Sequence, residues 1–260
     1  MGINKSRRGK YLMNSFLISL SPVKNIVITG DNYSIEIHKS FSEIFPEINV
    51  YDFRVSSFFE YFFENNFLIE KEKNYKIMVT IKKSEYFPRI IQKLFRKALN
   101  KEIIFINGNE FKIKGIISND KIWTGYYNLE EIMKKDQEEL CPNFRVKFVT
   151  PIVDINEGKF IFGFDKIFNK ILESFSEYYG EDLSWIIDQK EKIFIVKREK
   201  YCTKDMPINR IIKNSYVGEI DIEILEKQYK NLIYAIFMFA KFNGVGDMSN
   251  YGFGQILIKI

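Results

Sequence analysis

The sequence predicts an α+β protein built from a βαββαβ unit used twice. Three observations point there. Each half of the 260-residue chain runs strand, helix, extended segments, amphipathic helix, closing strand. The second helix of each half carries its apolar residues on one face. Hydrophobic residues make up 46% of the chain, enough to bury a core in one large domain or two small ones and to exclude disorder for most of it.

In the first half, residues 16–29 read as extended, and the Gly30-Asp31-Asn32 break leads into a helix over 33–45 that Pro46 stops. Residues 50–59 and 75–81 read as strands. Ser84 is placed to cap the next helix, with Pro88 in its first turn. Its apolar face is Ile90, Ile91, Leu94, Phe95, Ala98 and Leu99. Asn107-Gly108 is a tight-turn signal between strands at 103–106 and 111–117.

An acidic, polar stretch over 130–139 separates the halves. In the second, 144–155 is extended, and Ile167, Phe168, Ile171, Leu172, Phe175 and Tyr178 mark a helix ending at Gly180. Strands at 193–197 and 216–224 flank a basic segment. The clearest helix covers 225–242, with Tyr229, Leu232, Ile233, Ile236, Phe237 and Ala240 on one side, and 255–260 alternates as a last strand. The expected organisation is a first domain over 13–125, a linker over 126–139 and a second domain over 140–260.

Composition narrows the function classes. A formal charge of +5 and a pI near 8.9 suit an anionic partner. Cys141 and Cys202 fall in no paired motif, which argues against a disulfide framework and fits a reducing cytoplasm. With a single histidine, a zinc site is not expected, and no metal or cofactor is assigned. No apolar run is long enough to span a bilayer, so the expectation is a cytoplasmic protein without a membrane partner.

Four glycines stand between the last long helix and the final strand, in Gly244-Val245-Gly246-Asp247-Met248-Ser249-Asn250-Tyr251-Gly252-Phe253-Gly254. Glycine lets backbone N–H groups approach a ligand, and phosphates commonly profit. Dinucleotide sites and P-loops require the order strand, glycine loop, helix, and P-loops also require Gly-Lys-Ser/Thr. Here the order is reversed and that lysine is missing, so nucleotide-cofactor readings fail. A plain helix-to-strand connection remains the competing reading.

Gly-Val-Gly, five residues, then Gly-Phe-Gly before the final strand resembles the signature loop of the RAMP superfamily. It is most similar to that of the CRISPR repeat-RNA-processing endoribonucleases (Cas family six). Upstream, Tyr216-Val217-Gly218-Glu219-Ile220 resembles that family's Gly-Phe-Val-Gly strand. Phe148-Val149-Thr150-Pro151 resembles its Leu-Thr-Pro-Thr strand, and Trp123-Thr124-Gly125 its Trp-x-Gly. The first half agrees in element order and in Phe53-Arg54-Val55-Ser56.

The resemblance implies two tandem ferredoxin-like, RRM-like domains that bind CRISPR repeat RNA. The RNA backbone would meet Gly244, Gly246, Asn250, Gly252 and Gly254. The implied reaction is metal-independent endonucleolytic cleavage leaving a 2′,3′-cyclic phosphate and a 5′-hydroxyl. Two alternatives stay open: a non-catalytic RAMP subunit holding guide RNA in an effector complex, and an unrelated RRM-like RNA-binding protein. The partners in view are repeat RNA, effector-complex subunits and a second copy of the chain.

Lys197, Arg198, Lys200 and Lys204 surround Tyr201 and are followed by Arg210 and Lys213, a pattern that supplies phosphate contacts and a stacking ring, or simply a solvated hairpin. His38 is the first candidate for acid–base work near neutral pH. Tyr33 or Tyr51 is placed to orient or donate, and Lys39 to stabilise charge. A surface or capping histidine is the competing reading. In much of the resembling family the catalytic histidine lies shortly before the Phe-x-x-Ser strand, whereas His38 precedes Ser56 by 18 residues, with Pro46 and Asn49 nearer. The resemblance therefore implies either a histidine from earlier in the helix or a histidine-free mechanism.

Overall fold

The computed structural model describes residues 12–29, 33–61, 66–153, 163–208 and 211–260. The Gly30-Asp31-Asn32 break and Arg210 lie outside the described residues, as do the side chains of Lys204 and Lys213. The chain divides into two units. The first comprises Met1–Tyr126 with Pro207–Ile211 and Asn250–Gly252, and the second Tyr127–Met206, Ile212–Ser249 and Phe253–Ile260.

The first unit contains β1 (Leu12–Pro22), β2 (Ile26–Thr29), α1 (Tyr33–Ile44), β3 (Phe53–Val55), β4 (Asn66–Ile69), β5 (Tyr75–Ile81), α2 (Phe87–Leu99), β6 (Ile103–Ile106) and β7 (Asn109–Ile117). Its main sheet runs β3-β5-β1-β7-β6. Leaving aside β6 at the edge, the first strand is flanked by the third and the last, with the second outside the third. That is the ferredoxin-like order. Alternation sets its faces: Phe16, Ile18 and Leu20 lie opposite Val79, Ile77 and Tyr75. They enter one core with Phe53, Val55, Ile37 and Phe41 of α1, and Ile90 and Leu94 of α2.

Several local expectations change. Residues 16–29 are not one strand, because Pro22 ends β1, and β2 pairs instead with β4 as a separate ribbon. Only Phe53–Val55 of the expected 50–59 strand is strand. Ser84 lies in a 3₁₀ turn, and α2 begins after Tyr86, with Pro88 in its first turn. Phe95 and Leu99 of α2 are 48% and 80% exposed, because only Ile90 and Leu94 of that helix reach full burial.

The second unit begins within β8 (Gly125–Asn128) and holds α3 (Leu129–Lys134), β9 (Asn143–Val153), α4 (Phe164–Tyr179), α5 (Trp185–Asp188), α6 (Lys190–Ile193), all but the joined tips of β10 (Phe194–Ile208) and β11 (Ile211–Ile224), α7 (Lys230–Asn243) and β12 (Ile256–Lys259). Its sheet order, β10-β11-β9-β12, is again ferredoxin-like. Phe144, Val146 and Phe148 lie opposite Ile222, Ile220 and Gly218, and all but the glycine are buried core residues. Phe168 of α4 packs against Phe237 of α7 and Phe194 of β10, with ring centroids 5.8 and 5.0 Å apart. Gly180 closes α4 in the left-handed region, at φ 71°.

The stretch expected as a linker is structured. Asn128 caps α3 by accepting from the amides of Glu130 and Glu131, and the Asn231 amide of α7 donates to the carbonyls of Ile132, Met133 and Lys135. Helix α7 starts at Lys230 rather than 225, after a 3₁₀ turn over Lys227–Tyr229. Among the described residues no helix is long and apolar enough to cross a membrane.

Candidate active site

In the first unit, α1 carries His38 toward β3, where Phe53 presents its ring. The two rings stack at 4.8 Å with 7° between their planes. The tip of the glycine-rich loop supplies a third ring: Tyr251 meets His38 edge-on at 4.8 Å and 63°. His38 is 3% exposed, and its Nε2 has no hydrogen-bond partner. Burial lowers its pKa to about 4, and the nearby charge of Lys82 adds to this, while the carbonyls of Phe53 and Val50 pull toward the protonated form. At neutral pH the ring is therefore neutral, the state a general base requires.

Lys82, just beyond β5, donates from Nζ to Asn250 Oδ1 at 2.7 Å. Its backbone amide donates to the Asp52 carbonyl, and Lys83 pairs with the Asp52 carboxylate at 2.8 Å, so both lysines are tied to the segment that leads into β3. Gly252 makes the tip's seat. It sits at φ +84°, and a Cβ there would fall 2.5 Å from Ser56 Cα and 2.8 Å from the Val55 carbonyl oxygen. Ser56 is itself fixed to β5, giving its amide to the Met78 carbonyl and receiving the Met78 amide on Oγ.

The other sequence candidates fall elsewhere. Tyr33 is buried near the start of α1 against Phe58 and Phe67, its hydroxyl directed at the Ile106 carbonyl at 3.5 Å, and burial raises its pKa. Lys39 is exposed and paired with Glu36 at 2.7 Å. Tyr51 is 70% exposed. None of these contacts joins them to His38. Lys82 and Tyr251, which do join it, were not singled out from sequence. They lie 44 and 213 residues beyond His38, and only the pairing of β5 with β3 and the seat of the loop tip bring them close.

In the second unit the loop is anchored to its own sheet. The Val245 amide donates to the Gly254 carbonyl, the Gly254 amide to the Pro151 carbonyl, and the Asp247 amide to the Val153 carbonyl; Gly244 caps α7. Gly254, at φ +61°, lies on the Val245 backbone where no side chain fits, and Gly246 approaches the Val153 carbonyl similarly. Close packing within the chain requires glycine at both positions. Among the described side chains of β10, two of the basic residues are paired with β11. Lys197 meets Glu223 at 2.5 Å and Arg198 meets Glu219 at 3.7 Å, while Arg145 of β9 binds Asp221 through both Nε and Nη2. Lys200 is exposed, and Tyr201 donates to Glu199, which raises the phenol's pKa. Among the described residues, no three His, Cys, Asp or Glu side chains gather closely enough to hold a metal ion.

Two consecutive ferredoxin-like units, the second ending in a glycine-rich loop and a closing strand, match the fold of solved Cas6 and RAMP structures. Solved structures that share it include Cas6 proteins, the family the loop motif resembles. A Cas6 product complex superposes with a TM-score of 0.71 at 12% identity, covering 96% of this chain and 100% of that one. Thermus thermophilus Cas6 gives 0.67 at 11% identity, over 96% and 99%. A RAMP protein described as binding different RNA substrates gives 0.60 at 13%, over 95% and 100%. No family model and no curated protein matches the chain.

Proposed function

We propose that this chain binds CRISPR repeat RNA and cuts its backbone without a metal ion. The observation that carries the reading is the chain's one histidine, neutral at pH 7, beside a lysine and a tyrosine in a fold shared with Cas6 proteins captured with product and with a substrate mimic. His38 takes the proton of a ribose 2′-hydroxyl, and the oxygen attacks the adjacent phosphorus. The ammonium of Lys82 holds the charge that develops on the phosphorane. The bond to the 5′-oxygen breaks, and that oxygen takes a proton from an acid. The products are a 2′,3′-cyclic phosphate and a 5′-hydroxyl. Asn250 of the loop and exposed cations such as Lys200 contribute to holding the backbone.

Incubation with candidate repeat RNAs in EDTA should give one cut per repeat with those two end groups. Absence of binding and cutting across the candidates would remove the reading. A second reading, a RAMP subunit that holds guide RNA without cutting it, draws support from the closed imidazole. It is favoured if the protein co-purifies with several other subunits and has no activity.

A further inference from the structure

In this structure the catalytic base is shut away. His38 Nε2 is buried with no bond in return, a cost that folded proteins rarely leave unexplained. The Phe53 ring covers one face of the imidazole and is part of the core, so it cannot withdraw without disturbing β3. The Tyr251 ring belongs instead to a three-residue tip. Its contacts with the rest of the first unit include the edge-on meeting with His38, the Lys82–Asn250 hydrogen bond and the seat of Gly252 on Val55 and Ser56. Through that bond the Lys82 ammonium has a neutral amide oxygen among its partners. A phosphate oxygen carries a full charge and makes a stronger, charge-assisted bond to an ammonium.

We propose that Asn250–Gly252 is a removable cover on His38, and that an RNA phosphate opens it by taking Lys82 from Asn250 Oδ1, so that Tyr251 leaves the imidazole. This rests on the endoribonuclease reading and adds its regulation: base and cation are released together, only where a nucleic-acid backbone is present. The groups that act on the ring come from three places. Lys82 comes from the end of β5, Tyr251 from the tip, and the carbonyls of Val50 and Phe53 from the segment entering β3. Lys39 of α1 is exposed and paired with Glu36, and Lys83, beyond β5, is paired with Asp52.

Because the chain has one histidine, its imidazole NMR signal needs no assignment. The titration is followed in the full chain for the wild type, for Tyr251→Ala, for Asn250→Ala and for the wild type bound to a 2′-O-methyl repeat RNA that cannot be cut. The free wild type should titrate near 4. Both variants and the complex should titrate higher by at least about one pH unit as the ring regains water. RNA binding with the titration unmoved overturns the cover and leaves the endoribonuclease reading standing. An unmoved titration in both variants overturns it as well. Failure to bind any repeat RNA overturns both.

Discussion

The protonation of His38 should be visible in the stability of the whole protein. The folded ring titrates at about 4 against an ordinary 6.5, so between those values the unfolded chain binds a proton that the folded chain refuses. Stability from this group is fully present above pH 6.5 and is lost as pH falls toward 4. Between pH 7 and pH 5 the loss works out at about 2 kcal/mol, since a tenfold change in proton affinity corresponds to about 1.4 kcal/mol. The perturbation is His38→Gln, which cannot titrate. The assay is urea unfolding of both proteins at the two pH values. The carboxylates are common to both and cancel in the difference, and no other histidine titrates in the window. The wild type should lose about 2 kcal/mol more than the variant. Equal losses would show that the imidazole is solvated in the folded protein, and the burial argument would fail.

Three further outcomes follow from named contacts. Asn231→Ala removes the donor to the carbonyls of Ile132, Met133 and Lys135, and should lower stability by about 1–3 kcal/mol in the same urea assay. Gly218→Ala would set a Cβ 2.6 Å from Tyr201 Cα and force β10 away from β11; a loss of about 1–3 kcal/mol is expected, and an unchanged midpoint would contradict the register. Lys82→Gln should slow single-turnover RNA cleavage by about 10²–10³, as removal of a charge-stabilising donor does, with RNA affinity reduced far less.

The local turns and helix faces of the fold were legible because they depend on neighbouring residues. Asn107-Gly108 forms the expected tight turn, with both residues at positive φ, 48° and 72°, and Gly180 ends its helix as read. The expected face of α4 matches its buried residues except that Tyr179 is buried in place of Tyr178, whereas α7 is buried almost all round, and Phe95 and Leu99 satisfied the helical period and yet stay exposed. Periodicity says that residues share a face; it does not say how far a sheet extends beneath them. The β2–β4 ribbon was missed for a related reason, since Ile26–Thr29 continues the apolar run of β1 and only Pro22 hints at the break. At the candidate site, sequence supplied His38 and the loop and could not supply their meeting. Neighbours in sequence, Lys39 and Tyr51, point to solvent, while the partners arrive from β5 and from a loop near the far end of the chain. The glycines of that loop had two physical explanations, a bound phosphate or backbone packed on backbone. The approaches at Gly252 and Gly254 show backbone packed on backbone, which no sequence pattern could have shown.

The most direct measurement of the central claim is single-turnover cleavage of a candidate repeat RNA in EDTA by the wild type and His38→Ala, with RNA affinity measured beside it. The expected result is one cut by the wild type, a rate lower by about 10²–10⁴ in the variant, and unchanged binding. Equal rates in the two proteins would contradict the assignment of His38 and move the chemistry elsewhere in the chain.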